Sequence, residues 1–201
     1  MKYAILLLLT TIISFSTFSV SAQDYYSVGA GASFWNQTHN SDELEGGSEP
    51  GPMVFGTIGR EYGSSYRLEL DLQYSRNQVH GINDPDNGFK STGDGNVIDG
   101  VGLFMNGAYD FRPGKNFRPY VIAGAGVMYL KVSESGNADT PLDDDSFTYG
   151  AQVGFGARFD VTKSIRVDLG ARQIFAASTK LDGLNSEYDT TTFTLAAVMK
   201  F

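Results

Sequence analysis

Cysteine is absent from this 201-residue chain, proline is scarce at 6, and histidine occurs twice. Without cysteine there is no disulfide framework, so an exported protein of this composition takes its stability from elsewhere. After the N-terminus, no stretch approaches the roughly 20 continuous apolar residues of a membrane helix. An α-helical membrane protein is thereby excluded. A membrane β-barrel is not, because only every second residue of a strand faces lipid.

What is present begins with a processing signal. Lys2 precedes an apolar stretch from Ala4 through Leu9, Ile12, Ile13, Phe15 and Phe18, closing at Val20-Ser21-Ala22. This reads as a secretory signal peptide over 1–22, cleaved after Ala22. The mature chain, 23–201, reads as one domain. Its 24 glycines and 13% aromatics fit short strands in a tight barrel with aromatic girdles.

The clearest strand is Tyr66–Ser75. Tyr66, Leu68, Leu70, Leu72 and Tyr74 fall on one face; Arg67, Glu69, Asp71, Gln73 and Ser75 fall on the other. Period two means strand, and tyrosine at both ends of the apolar row suits two membrane interfaces. The alternation recurs over 147–159, over 165–175 (with Gln173 the polar exception on its apolar row) and over 97–111. Over 53–62 and 120–131 both faces are apolar or small, and the facing stays open. Eight strands follow, near 25–35, 52–62, 66–76, 97–111, 117–131, 147–160, 164–175 and 187–201. The expected fold is an all-β, eight-stranded antiparallel up-and-down transmembrane β-barrel.

The connections alternate in length. Those at 63–65, 112–116 and 161–163 are tight; those at 36–51, 77–96, 132–146 and 176–186 are long and polar. Short periplasmic turns and long external loops are the habit of outer-membrane barrels. The long connections hold thirteen acidic residues against Lys90 and Lys180, so the chain's excess negative charge collects at the external end. That charge disfavours nucleic acid or heparin as a partner.

A soluble lipocalin-like barrel also has eight strands, with its apolar faces inside. Side-chain size favours the membrane form. An eight-stranded interior is narrow, and here the polar face is rich in glycine while bulky side chains occupy the other. The polar face carries Arg67, Glu69, Asp71, Arg158, Arg166, Asp168, Arg172 and Lys200, expected as an interior charge network that leaves no open pore. The last row, Phe193, Leu195, Ala197, Met199 and Phe201, ends on an aromatic, which resembles the signal read by the outer-membrane barrel-assembly machinery.

Three segments and the terminus carry a family likeness: Arg118-Pro119-Tyr120 leading into Gly124-Ala125-Gly126; Tyr149-Gly150 through Val153-Gly154-Phe155-Gly156; Arg166-Val167-Asp168-Leu169-Gly170-Ala171-Arg172; and Phe201. In their order and spacing the chain resembles the OmpA-type, opacity-protein-like family of eight-stranded surface barrels over nearly its whole mature length. The resemblance implies the fold and an outer-membrane location, and a structural or adhesin-like role. The peptidoglycan-binding domain of some members is not implied.

Little catalytic chemistry is in view. His39 lies near Ser41 and Asp42, and His80 lies in another long connection, but neither forms the His-x-Ser-Asn pattern of the lipid A deacylase barrels. No catalytic residue and no cofactor are expected; the alternatives are a lipid A-modifying enzyme and a soluble periplasmic binder. Asp143, Asp144 and Asp145, and Asp84 with Asp86, are weak candidates for a hard cation. The expected partners are outer-membrane lipids including lipopolysaccharide, the assembly machinery, and a host or surface ligand at the four long connections, with the chain a monomer.

Overall fold

The alternating segments close on themselves in the computed structural model, which describes residues 22–36, 50–84, 89–111, 116–133, 143–177, 179–181, 184–186 and 189–201. At 79–84, 89–96 and several other strand tips only the backbone is described. The barrel strands are β1 (Ala22–Asn36), β2 (Gly51–Tyr62), β3 (Tyr66–Asp84), β4 (Phe89–Asp110), β5 (Phe117–Ser133), β6 (Asp143–Asp160), β7 (Ile165–Ala176) and β8 (Asp189–Lys200). Each pairs antiparallel with its sequence neighbour, and β1 pairs with β8 to close the cylinder. Closure leaves no free edge through the barrel body, so every ladder there is satisfied internally.

Following partners around the wall from Tyr25 leads through Gly59, Glu69, Asn106, Gly124, Gln152, Ile174 and Thr190 and returns to β1 at Trp35, ten residues further on. That stagger tilts the strands in the ~35–45° range and sets a narrow bore.

The tight turns lie at one end. Gly63 has φ +63°, in the left-handed region that favours glycine, and turns β2 into β3. In the β6–β7 turn, Thr162 Oγ1 accepts the backbone N–H groups of Ser164 (3.3 Å) and Ile165 (3.0 Å). The hydroxyl thus replaces a missing ladder partner.

Three expectations change. The connection at 77–96 is mostly strand: β3 runs on to Asp84 and β4 begins at Phe89, through irregularities at Val79/His80 and His80/Ile82. β5 and β6 likewise extend to Ser133 and from Asp143. Asn, Asp, Gly and Ser lower strand propensity without forbidding a ladder once two antiparallel chains are in register. The connection at 176–186 contains a small hairpin, Thr179–Leu181 with Leu184–Ser186. It flanks Asp182-Gly183, a two-residue hairpin signal.

The facing left open over 53–62 and 120–131 is decided by the closed wall. In β2, Met53, Phe55 and Thr57 point inward while Val54 and Ile58 point out; in β5, Tyr120, Ile122, Met128 and Leu130 point inward. The third change is that bulky side chains are not confined to the outer face. Tyr25, Phe55, Phe104 and Tyr120 are all buried inside. Interior glycines make room for them. A Cβ on Gly59 would strike the Tyr25 ring, and one on Gly156 the Tyr120 phenol.

Candidate functional site: a charge-balanced interior under an apolar cap

The outer surface is apolar. Tyr149 and Phe155 are 70% and 67% exposed, in company with Val28, Ile58, Leu72, Leu169 and Leu195. An apolar cylinder of this kind does not suit water. Aromatic pairs crowd its turn end: Tyr66 with Tyr109 (centroids 5.2 Å), Tyr109 with Phe111 (5.3 Å), and Phe117 with Phe159 (5.1 Å). Phe201 joins this belt beside Tyr26 at 5.9 Å, and its backbone N–H donates to Asp24 O at 3.2 Å. At the other end lie Tyr74, Tyr129, Phe34 against Phe193, and Phe147 against Tyr149.

The charges are inside, toward the turn end. Glu69 is 2% exposed and central. Its Oε1 accepts from Tyr25 OH (2.5 Å), Arg67 Nε (2.9 Å) and Arg158 Nη2 (3.0 Å). Arg158 Nε reaches Asp168 Oδ2 at 2.6 Å, and Asp168 Oδ1 accepts from Tyr120 OH at 2.7 Å. Arg67 also pairs with Asp110. The Arg158 guanidinium lies 4.8 Å from the Tyr25 ring centre and that of Arg67 lies 4.6 Å from the Tyr120 ring centre. Each ring face is electron-rich and attracts the cation above it.

Below this layer, at the turn-end rim, Arg166 pairs with Glu61 and donates from Nε to Asp160 at 2.7 Å. Arg118 also meets Asp160, and Lys200 Nζ lies 3.6 Å from Glu61. Above it, Arg172 Nη1 donates to Asp71 Oδ2 (2.5 Å), as does Asn106 Nδ2 (2.7 Å), and Gln152 Nε2 donates to Asn106 Oδ1 (2.5 Å).

Among the described residues this interior holds five arginines and Lys200 against Glu61, Glu69, Asp71, Asp110, Asp160 and Asp168. The charges balance. An isolated buried ion costs several kcal/mol; here arginines that bridge two carboxylates, Arg67 between Glu69 and Asp110 and Arg158 between Glu69 and Asp168, together with the ring faces beside them, offset it. The last third of the bore is different. Ile98, Phe104, Met128, Leu130 and Ile174 form an apolar cluster against Trp35 and Ala176, and Met53, Phe55 and Ala196 pack as a second. The bore is thus ionic toward the turns; toward the far mouth this apolar cluster shares the space with neutral polar side chains, among them Ser33 bonded to Asn77 at 2.9 Å, and a small cavity lies between Met53, Gln73 and Thr192.

All eight interior charges expected from the sequence lie on the bore side, with Lys200 at its rim. Glu61, Arg118, Asp110 and Asp160 complete the network and were missing from the expected set. Glu61 and Arg118 sit on the two strands whose facing the alternation left open. Asp110 shares the parity of Asn106, a signal that was readable. Tyr25 and Tyr120 carry no such signal, since tyrosine serves lipid interfaces equally well. Of the cation candidates, the side chains of Asp84, Asp143 and Asp144, and all of Asp86, lie outside the described residues. Asp145 is on the outer wall, accepting from Tyr129 OH at 2.9 Å. No group of three His, Asp or Glu side chains converges among the described residues. His39 lies outside them, and His80 is placed only by its backbone.

An inside-out barrel, apolar outside and ionic within, defines the class as a membrane-embedded β-barrel. Residues 5–201 match the family described as outer membrane protein beta-barrel domain, and the chain belongs to that family. Its place is the bacterial outer membrane, where barrels of this kind carry their short turns on the periplasmic side. It is 31% identical to outer membrane protein PagN of Salmonella typhimurium over 84 residues, 38% of this chain and 34% of that protein. It is 23% identical to an uncharacterised protein of Rickettsia prowazekii over 133 residues, 61% of this chain and 71% of that one. In fold it is similar to Neisserial surface protein A (TM-score 0.63, 17% identity, covering 90% of this chain and 99% of that one). It is also similar to Ail, the attachment invasion locus protein of Yersinia pestis, solved with the heparin analogue sucrose octasulfate (TM-score 0.54, 14% identity, covering 90% and 99%).

Proposed function

We propose that this chain is a non-enzymatic surface-interaction protein, an adhesin-like barrel whose external segments meet a partner outside the cell. The observation that carries the reading is the division of labour along the wall. The bore is filled, which disfavours transport, while β3 to β6 run on past the external aromatic row of Tyr74 and Tyr129. The longest of these, β3 and β4, hold a two-stranded ribbon clear of the membrane. The acidic character of 36–51, 77–96, 132–146 and 176–186 favours a partner with a basic face. The attachment role printed for Ail lends support by analogy of fold alone.

Cells displaying the chain should adhere to epithelial monolayers or to a panel of immobilised matrix proteins. Cells displaying a version with Asn and Gln in place of the acids of 36–51 and 132–146 should adhere less. Equal adherence by both, or none by either, overturns the reading. Its non-enzymatic part is tested separately by mass spectrometry of lipid A from expressing cells, where an altered acyl pattern would sink it. Export belongs to the same proposal: removal of 1–22 should leave Gln23 as the N-terminus, read from the intact mass of the outer-membrane form. Phe201 is proposed as the assembly signal, so deleting it should lower the folded fraction in cells without preventing refolding in detergent.

A further inference from the structure

The small cavity lies where the ionic and apolar parts of the bore meet. Its volume is about 10 Å³, and side chains of β2, β3, β7 and β8 and of the strands between them line it. Gln73 and Ser75 of β3 and Thr190 and Thr192 of β8 make the polar part of its wall. Met128 and Ile174, both members of the apolar cluster, make the opposing part. Gly102, on the same wall, contributes no side chain to fill the space.

Two polar atoms of that wall lack a partner. Gln73 Oε1 and Thr190 Oγ1 are buried and meet no hydrogen-bonding group among the described residues. Gln73 is 6% exposed and Thr190 2%. Thr192 Oγ1 donates to the Arg172 carbonyl at a long 3.5 Å and can still accept. A buried acceptor without a donor is costly. A carbonyl and a hydroxyl on one cavity call for a molecule that both donates and accepts. The volume matches the roughly 10–15 Å³ that a single water needs.

We propose that this cavity is a binding site for one ordered water molecule. The water donates to Gln73 Oε1, accepts from the Thr190 hydroxyl and turns its second hydrogen to Thr192 Oγ1. Charge selects water over a metal ion: the charged groups of the bore already balance, so an ion here would add an uncompensated charge. The water completes the polar side of the junction, since Thr192 is tied to the backbone of Arg172 while Met128 and Ile174 belong to the apolar cluster. A single held water is not a conducting path. The site needs none of the external segments and stands or falls apart from the adhesin-like reading.

The first test is on the unaltered protein, folded in detergent micelles. Nuclear magnetic resonance should show cross-relaxation between water and the labelled Met128 methyl group, with the sign of a long-lived contact. A crystal of the same protein should show one density peak within hydrogen-bond distance of Gln73 and Thr190. An empty cavity, or a peak with the short contacts and high coordination of a metal ion, overturns the site. Variants add a test by direction. Thr190→Val removes one partner of the water and should lower the folded-to-unfolded ratio in urea about fivefold. Q73M/T190V removes both partners, so the water signal should vanish and stability should return toward wild type. Thr194→Val removes a hydroxyl that donates to Gly170 O, outside the cavity, and should keep the signal. A gain in stability for Thr190→Val would mean that the wild-type hydroxyl has no water to bond, and overturns the site. So does a signal that persists in Q73M/T190V or disappears in Thr194→Val.

Discussion

At the scale of single residues, Glu69 shows how an ionic interior is tolerated. Three donors converge on one carboxylate oxygen, and two of them are arginines with a second partner or a ring face beneath them. Replacing Glu69 with Ala leaves those arginines under-compensated in a dry bore. The expected cost is about 3–5 kcal/mol. Asp24 also meets an arginine, Arg60, at 2.6 Å, but there both side chains are more than a third exposed. Asp24→Ala should cost about 0–1 kcal/mol. Urea unfolding of the refolded barrel in lipid vesicles compares the two, and similar losses would refute the central role of Glu69. Packing makes its own demand at Gly59. Gly59→Ala drives a methyl into the Tyr25 ring and should cost about 1–3 kcal/mol. Adding Tyr25→Leu should shrink that penalty; a double-mutant cycle showing no coupling would mean that the ring does not occupy the glycine's space.

At the scale of the element, each strand has two solvents. Leu70 and Asp71 are neighbours in β3: Leu70 shares the outward parity of Leu68 and Leu72, and Asp71 meets a buried arginine. A charge is therefore tolerated or rejected by parity and depth rather than by strand. Leu70→Arg, near the middle of the outward row that runs from Tyr66 to Tyr74, should destabilise by about 2–4 kcal/mol. Val161→Arg, in the periplasmic β6–β7 turn, should cost about 0–1 kcal/mol. Refolding yield into vesicles, scored on unboiled gels, separates the two. Comparable yields would place Leu70 away from the hydrocarbon. Gln173 is the local exception to the outward rule. Its Oε1 accepts from Thr191 Oγ1 at 2.6 Å across the β7–β8 ladder. Pairing within the wall lets a polar side chain sit on the membrane face without leaving an acceptor bare.

For the whole molecule, closure and filling act together. The ladder runs unbroken around the cylinder, so unfolding cannot start from an edge. The protein extracted from outer membranes should migrate as two bands, one before and one after boiling, because detergent opens a closed barrel only on heating. The filled bore makes a second prediction. Planar bilayers containing the wild type should show no steady conductance, since ions entering from the periplasmic end meet the Phe104, Met128 and Leu130 layer. A stable open channel would show that this layer moves aside in the membrane.

How much of this was legible beforehand differs from residue to residue. Tyr66 to Ser75 announces its two faces because leucines and charges alternate without a break. The sequence by itself determined the strand number, the order of strands, the tight-turn end and the parity of the eight interior charges, because each rests on local alternation or turn chemistry. Only the tertiary structure decided which face of β2 and β5 points inward, since residues apolar or small on both sides satisfy lipid and bore alike. It also decided that Tyr25 and Tyr120 serve the ionic layer. A phenol fits a membrane interface and a buried carboxylate equally well, and only the register of β1 on β2 and β2 on β3 sets Tyr25 level with Glu69, while closure of the wall brings Arg158 of β6 across the bore to both.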